Sequence, residues 1–256
     1  MLSALDLEFT FGSRPVLRGV DLHAEPGTRT ALIGPNGSGK STLLRLLGGH
    51  LVPTGGAATL AGSPVSNFAP RDRAKHIAIV PQSVSLAFPF TVARFVSFGR
   101  HTLGRAGVDA AVARALQRVD LTDRARDPVG ELSQGQQQRA SIARALCQLS
   151  GMPRGDRFLL ADEPTASLDP AHTLIVRSLF NELAQDGVGV IAALHDLGAA
   201  AAFDRVLLLG SDGSTIANGS TEDVLADTPL RAAFGIGFDR LADASGEIRS
   251  FAPASP

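Results

Sequence analysis

The sequence predicts an α/β fold in which a mostly helical segment interrupts a core built on a parallel sheet. Three observations support this prediction. Short apolar runs typical of buried strands recur along the chain and alternate with helical stretches. Between residues 83 and 156 the periodicity is helical. Two stretches of alternating apolar and polar residues, 5–11 and 16–24, come first and predict an antiparallel β-subdomain at the N-terminus.

The individual elements follow from hydrophobic periodicity and from the glycine and proline residues that interrupt it. Buried strands are predicted at 30–33, 77–80, 158–161 and 188–194, and shorter strands at 205–210 and 214–218. Helices are predicted at 42–47, 91–98, 109–119, 134–149, 170–185 and 221–226.

These elements divide a single domain, 1–256, into a catalytic core and an insert. The core comprises 1–82 and 157–234, and the helical subdomain comprises 83–156. Residues 235–256 are rich in Gly, Ala and Pro, and we expect them to form a loosely attached tail.

The amino-acid composition limits the classes of protein to which this chain can belong. Hydrophobic residues make up 44% and charged residues 19% of the 256 residues, which is typical of a globular chain. The net charge of −1 gives no general attraction to nucleic acid or anionic lipid. Cys147 is the only cysteine, which excludes an intrachain disulfide and fits a reducing compartment. With no apparent signal peptide and no apolar stretch of about 18 residues, a soluble cytoplasmic protein is expected.

The most specific motif is a complete G-x-x-x-x-G-K-[ST] match beginning at Gly34, between a predicted strand and a predicted helix. Its glycines let backbone N–H groups face phosphates at the positive end of the helix. Lys40 is expected to bridge the β- and γ-phosphates of a nucleoside triphosphate, and Ser41 to bind Mg²⁺. The motif predicts a P-loop NTPase core. The nucleotide-binding residues expected here are Gly34, Pro35, Asn36, Gly37, Ser38, Gly39, Lys40, Ser41 and Thr42.

Two carboxylates, Asp162 and Glu163, follow the apolar run 158–161. At the carboxyl edge of a parallel sheet, Asp162 is placed to hold the Mg²⁺ shell and Glu163 to polarise the attacking water. Adjacent acids at a strand end are also common on solvated surfaces. The P-loop upstream favours the catalytic interpretation.

A second element with phosphate-binding chemistry is the turn Leu132-Ser133-Gln134-Gly135-Gln136, which opens a long helical stretch. A hydroxyl and backbone N–H groups at a helix N-terminus can bind a phosphate. Ser133 is also a plausible N-cap for the same helix, and both roles can hold together.

The order of these motifs resembles the ATPase subunit of ABC transporters, from Leu2 to about Ala226. The elements that carry the resemblance are GPNGSGKST, Gln82, LSQGQ, LLADEP, Ser167-Leu168-Asp169 and His195. The resemblance implies that Gln82 contacts Mg²⁺ or the lytic water and that His195 contacts the γ-phosphate. The implied catalytic residues are therefore Glu163, His195 and Gln82, and the implied metal ligands are Ser41, Gln82 and Asp162.

The resemblance also implies that two chains enclose two ATP molecules. The turn 132–136, hereafter the signature turn, would place Ser133, Gly135 and Gln136 on the ATP held by a second copy. Asp169, at the end of the D-loop segment 167–169, would connect the two sites, although Asp169 before Pro170 also fits a helix N-cap. Gln134 replaces the family's first glycine, and we expect nucleotide binding to survive this change.

Phe11 stands where the family usually has a tyrosine that stacks on adenine, so it retains the stacking face without the hydroxyl. Simple strand packing is the alternative. Four further aromatic side chains crowd after Gln82, namely Phe88, Phe90, Phe95 and Phe98. We expect at least two of them to form the core of the helical insert, and the others can form an apolar groove for a permease helix.

Within the family, the chain resembles importers of iron chelates, haem and cobalamin. The residues concerned are Val80-Pro81-Gln82, Thr91-Val92 and Leu194-His195-Asp196-Leu197. The helix end Ala145-Leu146-Cys147-Gln148-Leu149 is similar to that of the haem importer ATPases in particular. The alternatives are a ferric-siderophore or cobalamin importer ATPase, an exporter cassette, or a soluble non-transport ATPase of the same family.

This resemblance implies a set of partners and a location. The partners are a second copy of the chain, transmembrane permease subunits and, indirectly, a periplasmic haem- or chelate-binding protein, with no nucleic acid. The implied location is the cytoplasmic face of the bacterial inner membrane.

Overall fold

The computed structural model describes residues 1–83, 88–102, 104, 106–242 and 248–254. The strands within these ranges are β1 Leu2–Phe11, β2 Arg14–Ala24, β3 Arg29–Ile33, β4 Gly55–Leu60, β5 Ser63–Pro64, β6 Ile77–Val80, β7 Arg157–Asp162, β8 Val188–Ala193, β9 Arg205–Leu209, β10 Thr215–Ser220, β11 Phe238–Ala242 and β12 Ile248–Pro253. The α-helices are α1 Lys40–Leu47, α2 Pro70–Arg73, α3 Val92–Ser97, α4 Val108–Arg118, α5 Gln134–Leu149, α6 Pro170–Gln185, α7 Leu197–Ala200, α8 Thr221–Val224 and α9 Asp227–Phe234.

A six-stranded sheet in the order β10-β9-β3-β8-β7-β6 forms the centre of the fold, and only β10 runs antiparallel to its neighbour. Alternate residues of its strands enter two separate hydrophobic clusters. Leu159 and Ala161 of β7 belong to one cluster, whereas Phe158 and Leu160 belong to the other. The sheet is therefore buried on both faces, which explains why its strands are continuous apolar runs in the sequence.

The N-terminal residues form a separate antiparallel sheet in the order β2-β1-β4-β5. Its apolar side chains share a cluster with Leu43 and Leu47 of α1 and with one face of the central sheet. The predicted α/β fold with an antiparallel β-subdomain is confirmed. The sequence did not indicate β4 and β5, because Gly55, Gly56 and a short Ser63–Pro64 strand give little apolar periodicity.

The helical segment between β6 and β7 contains α3, α4 and α5, which pack on one another around buried Phe95, Leu116 and Ile142. Residues 84–87, 103 and 105, within the predicted insert, lie outside the described residues. Of the four aromatic residues considered for this segment, Phe95 is buried, Phe90 and Phe98 are half-buried, and Phe88 is 65% exposed. At least two were expected in the core of the insert: Phe95 lies in it, and half-buried Phe98 packs against it.

Polar side chains of α5 attach the helical segment to the central sheet. Gln148 Nε2 donates to the carbonyls of Ala74 and Ile77 at 3.0 and 2.9 Å. Gln138 Nε2 donates to the carbonyl of Pro81 at 3.3 Å. Buried amides with partners of this kind fix the position of α5 beside the residues that follow β6.

The C-terminal residues differ from the expected loose tail. The predicted helix 221–226 ends at Val224, and α9 follows it directly. Strands β11 and β12 then pair antiparallel, and Phe238 and Phe251 pack against the hydrophobic cluster shared by α6 and α7. Glycine and proline between the apolar residues obscured this hairpin in the sequence. Residues 243–247 and 255–256 lie outside the described part.

Among the helices of the described residues, none combines the length and the apolar character that crossing a bilayer would need.

Candidate nucleotide-binding and hydrolysis site

The predicted site residues meet at one edge of the central sheet because its strands run parallel. The carboxyl ends of β3, β8, β7 and β6 are neighbours in that order. The P-loop follows β3, His195 follows β8, Asp162-Glu163 stands at the end of β7, and Gln82 follows β6. Ligand sites in open α/β sheets lie outside the carboxyl ends of strands. A cleft of about 510 Å³ opens there. It is lined by Val16, Asn36, Gly37, Ser38, Gly39, Lys40, Ser41, Thr42, Gln82, Glu163 and His195.

The P-loop depends on glycines for its backbone path. Gly34, Gly37 and Gly39 have φ of 148°, 82° and 97°, in the region that L side chains rarely adopt. A Cβ at Gly34 would lie 2.4 Å from the carbonyl oxygen of Leu209, and one at Gly39 would lie 2.5 Å from Leu17 Cδ2. Gly39 is the N-cap of α1 and has no side chain to cap it. The helix start therefore leaves backbone N–H groups open to an anionic ligand.

Lys40 is the buried cation of the cleft. Its Nζ donates to the carbonyls of Gly34 and Pro35 at 2.8 and 3.0 Å, so the ammonium links the end of the P-loop to its beginning. Burial lowers the pKa of Lys40, while the nearby charges of Glu163 and Asp162 act in the opposite direction. A phosphate group entering the cleft would add a further favourable partner for this ammonium.

Ser41 and Asp162 form the part of the site suited to a divalent cation. Ser41 Oγ donates to Asp162 Oδ1 at 2.9 Å. Asp162 is buried, and burial is the main reason that its pKa is raised, ahead of the hydrogen bond from Ser41, which lowers it. The donors present, a hydroxyl and a carboxylate with the Gln82 amide on the cleft wall, are oxygen ligands of the kind Mg²⁺ prefers. The residues therefore fit the predicted metal.

Glu163 and His195 are in direct contact, with His195 Nε2 against Glu163 Oε1. Glu163 is held in the left-handed region, with φ 48°, and its N–H donates to the Ala193 carbonyl at 3.1 Å. Such a conformation is uncommon for a residue with a side chain and is frequent at functional sites. Because His195 follows β8 and Glu163 follows β7, adjacent strands bring the two groups together.

Gln82 lies between two cavities. It lines the cleft just described and also a neighbouring cavity of about 270 Å³, whose walls include Ser41, Asp162, Ile79 and Arg144. Arg144 belongs to α5 and stacks over Phe95 at 4.9 Å. Gln82 is thus the point at which the helical segment borders the nucleotide cleft.

The signature turn lies outside the lining of the nucleotide cleft. Ser133 caps α5 and forms a reciprocal capping box with Gln136: Gln136 N–H donates to Ser133 Oγ at 3.3 Å, and Ser133 N–H donates to Gln136 Oε1 at 3.0 Å. Gly135 packs on the D-loop segment, since a Cβ there would lie 2.6 Å from the Ser167 carbonyl oxygen. Gln134 is exposed and helical. Among the described residues lining the cleft, none comes from this turn.

Asp169 and Phe11 also lie outside the cleft lining. Asp169 is the N-cap of α6, and its pKa is lowered first by the backbone N–H of His172 and then by the ring of that residue. Phe11 is 51% exposed at the end of β1, with its ring 4.8 Å from that of Phe9 in an edge-to-face arrangement. An exposed aromatic face at this position remains available for stacking.

Sequence reasoning missed several residues around the site. Val16 lines the cleft from β2, where nothing distinguishes it from other strand residues. Gln138 anchors Pro81 beside Gln82, and a polar residue on the apolar face of a predicted helix is the signal that could have found it. His172 was given no role, although its position three residues after a predicted Asp N-cap is informative.

Comparisons with known proteins agree with this geometry. Residues 17–166 match the ABC transporter family. The hemin import ATP-binding protein HmuV of Chelativorans sp. (strain BNC1) is 42% identical over 239 residues, covering 91% of both chains. A metal-chelate type ABC transporter solved in an inward-facing conformation superposes with a TM-score of 0.81 at 28% identity, covering 99% of this chain and 97% of that one.

A dimeric bacterial ABC transporter cassette superposes with a TM-score of 0.75 at 26% identity, over 86% of this chain and 99% of the other. The family match spans more than half of the chain and includes the P-loop, Gln82, the signature turn and the Asp162-Glu163 pair. The chain therefore belongs to the ABC transporter family, as its ATP-hydrolysing domain.

Proposed function

We propose that the chain is the ATP-hydrolysing subunit of a hemin importer. The observation that carries the proposal is the convergence of Lys40, Asp162, Glu163 and His195 at one sheet edge of an ABC transporter cassette. The cargo is inferred from relatives named as hemin import ATP-binding proteins, which are similar over nine-tenths of the chain.

The P-loop is proposed to bind the phosphates of ATP. Backbone N–H groups at the start of α1 face the β-phosphate, and Lys40 exchanges the carbonyls of Gly34 and Pro35 for phosphate oxygens. Ser41, Asp162 and Gln82 would hold Mg²⁺, which neutralises developing charge on the phosphates when bound. Burial of Asp162 disfavours its isolated charge, and a bound cation would offset that cost.

Glu163 is proposed as the group that accepts a proton from the attacking water. Its contact with His195 involves Oε1, and within the described part of the chain Oε2 has no hydrogen-bond donor, so it can accept. The strained backbone of Glu163 fixes the direction of the carboxylate, which is what general base catalysis requires. His195 contacts Glu163 and would orient this carboxylate beside the γ-phosphate. The water oxygen bonds to the γ-phosphorus while Glu163 takes its proton, the bond from that phosphorus to the bridging oxygen breaks, and ADP and inorganic phosphate leave.

A second copy of the chain is proposed to complete each site. Ser133, Gly135 and Gln136 of one copy would contact the ATP in the cleft of the other, and Asp169 would lie at the contact between copies. The support is that these residues form a capped helix start outside their own cleft, in a chain similar to a dimeric cassette. Phe11 would stack on adenine.

The other partners follow from the importer assignment. Transmembrane permease subunits would bind beside Gln82 and Arg144, which line one cavity, and Phe88 adds an exposed apolar side chain to the helical segment. A periplasmic haem-binding protein would deliver the cargo, and the chain would work on the cytoplasmic face of the inner membrane. Import of another metal chelate is the second candidate, favoured by the structural similarity to a metal-chelate type transporter.

The test is reconstitution. The chain would be purified with the membrane permease that co-purifies with it, placed in liposomes, and assayed for ATP-dependent accumulation of hemin, a ferric siderophore and cobalamin. Hemin accumulation that disappears with a Glu163→Gln subunit is the expected result. Transport of only a siderophore or cobalamin would establish the second candidate. Association with ribosomes or DNA in place of a permease would overturn the importer assignment.

A further inference from the structure

A histidine lies between two carboxylates at the seam between the helical segment and the core. His172 Nδ1 is 2.6 Å from Asp169 Oδ2, and His172 Nε2 is 3.5 Å from Asp120 Oδ2. The His172 backbone N–H also donates to Asp169 Oδ1 at 2.9 Å. The histidine side chain is only 21% exposed. Both ring nitrogens therefore face a carboxylate oxygen, and the Asp169 and Asp120 side chains that supply these oxygens are themselves 58% and 78% exposed.

The two carboxylates belong to different parts of the fold. Asp169 ends the D-loop segment and begins α6 of the core. Asp120 follows α4 of the helical segment, in a left-handed conformation with φ 54°. Arg139 of α5 fixes this turn, because its guanidinium donates to the carbonyls of Val119 and Asp120, both at 2.7 Å. His172 thus connects the D-loop segment to a rigid corner of the helical segment.

The D-loop segment has a second contact with the helical segment. The Ser167 carbonyl lies so close to Gly135 that a Cβ there would be 2.6 Å from it. The start of α5 therefore meets the D-loop segment directly at Ser167, whereas the Asp120 corner reaches it through His172 and the contact of His172 with Asp169. A displacement of the helical segment must carry the D-loop segment with it while both contacts persist.

We propose that His172 is a positioning residue for ATP hydrolysis, which ties Asp169 to Asp120 and so fixes the D-loop segment relative to the signature turn. It acts through Asp169 and is not among the described residues that line the nucleotide cleft. The inference rests on the ATPase function proposed above. It adds a contact within one chain to the D-loop's proposed role between chains.

The bridge depends on the protonation state of the ring. An imidazolium donates from both nitrogens, whereas a neutral imidazole donates from only one. The charged groups facing the ring are Asp169, the N-cap of α6, and Asp120 from the turn after α4, and Arg139 of α5 lies 3.7 Å from Asp120 Oδ2.

The same seam contains a matched control. Arg118 of α4 donates to Glu182 Oε2 of α6 at 2.6 Å, and Ser178 Oγ donates to Glu182 Oε1 at 3.1 Å. This ion pair joins the same two helices ten residues further along α6 than His172. Glu182→Gln weakens the seam without touching Asp169 or the D-loop segment.

The experiment uses the full chain with steady-state hydrolysis of Mg-ATP from about pH 6 to about pH 9. His172→Ala removes both ring contacts but keeps the backbone cap. His172→Asn keeps a donor near Asp169 and cannot reach Asp120. Asp120→Gly removes the other carboxylate and suits the left-handed backbone. The double variant His172→Ala with Asp120→Gly tests whether the two residues act together.

We expect each of the three single variants to lower kcat by about 3- to 10-fold, with little change in KM. The double variant should be no worse than the more affected single variant. Glu182→Gln should retain the wild-type pH profile. Thermal unfolding of each variant separates loss of folded protein from loss of turnover.

Two results would overturn the positioning role while leaving the proposed function intact. One is wild-type hydrolysis with kcat and pH profile unchanged in all His172 and Asp120 variants. The other is a loss of kcat that is absent in His172→Asn or also present in Glu182→Gln. In the first case the contact with Asp169 alone would explain the loss, and in the second any contact between the helical segment and the core would explain it. Absence of hydrolysis in the wild-type chain would instead overturn the proposed function and the inference with it.

Discussion

The P-loop and the signature turn are both helix starts with phosphate-binding chemistry, yet they are built differently. The P-loop turns on glycines at positive φ and surrounds a buried lysine. The signature turn begins with a side-chain cap, so Ser133 already has a partner within its own chain. The first has its catalytic groups beside it on the same sheet edge. The second packs against the D-loop segment and contributes none of the described residues that line the cleft.

This difference indicates which of the two helix starts can bind a phosphate without a second copy of the chain. The P-loop's orphan N–H groups have no side-chain cap and face an open cleft, so they need a ligand. The N–H of Gln136 is bonded to Ser133 Oγ, and the turn is already stable without phosphate. A capped helix start can still attract an anion through its dipole, but it must be brought to one. That fits the proposed completion of each site by a second copy.

The largest effect should come from the groups beside the P-loop. Glu163→Gln keeps the contact with His195 and the side-chain size but removes the proton acceptor. We expect kcat to fall by about 10²- to 10⁴-fold with ATP still bound. Phosphate release and fluorescent-nucleotide titration would measure the two quantities. Glu222→Gln, a surface carboxylate on α8, is the control. Near-normal turnover in Glu163→Gln would remove Glu163 from the role of base.

The next effect tests the P-loop's buried cation. Lys40→Ala removes the ammonium that bridges the Gly34 and Pro35 carbonyls and is placed to meet phosphate. Because hydrogen bonds to charged groups are worth about 1.5–3 kcal/mol each, we expect ATP affinity to fall by about 100-fold. Lys75, the chain's only other lysine, pairs with Asp72 on the surface, so Lys75→Ala is the matched control. Equal nucleotide affinity in the two variants would contradict the assignment.

Much of the P-loop and of the catalytic groups beside it was predictable from the sequence, whereas less of the signature turn was. The P-loop, the Asp162-Glu163 pair and His195 follow buried strands, and parallel strands bring such residues to one edge. No local signal revealed that Gly135 meets Ser167, since that contact joins residues 32 positions apart. The hairpin after α9 was hidden for a related reason: its burial depends on Phe238 and Phe251 packing onto distant helices.

A third effect distinguishes packing from ligand binding in the signature turn. Gly135→Ala places a Cβ against the Ser167 carbonyl, so either α5 or the D-loop segment must shift. Overpacking of this kind costs about 1–3 kcal/mol of unfolding free energy, which lowers the thermal midpoint by about 2–4 °C per kcal/mol. Gly130→Ala, where the added Cβ meets nothing, is the control. A Gly135→Ala protein as stable as the Gly130→Ala protein would show that the turn tolerates the side chain.

The smallest effect concerns the residue that departs from the family. Gln134 is exposed, helical and not at positive φ, so the fold needs neither glycine nor glutamine there. Gln134→Gly should change the unfolding free energy by less than about 1 kcal/mol and leave ATP affinity unchanged. The informative quantity is kcat at increasing protein concentration, because the side chain projects from a turn proposed to meet a second copy. A rate change that grows with dimer formation would place Gln134 at that contact. A loss of kcat that does not depend on protein concentration would mean that residue 134 acts within its own chain. That result would contradict the proposal that the signature turn, unlike the P-loop, works only in contact with a second copy.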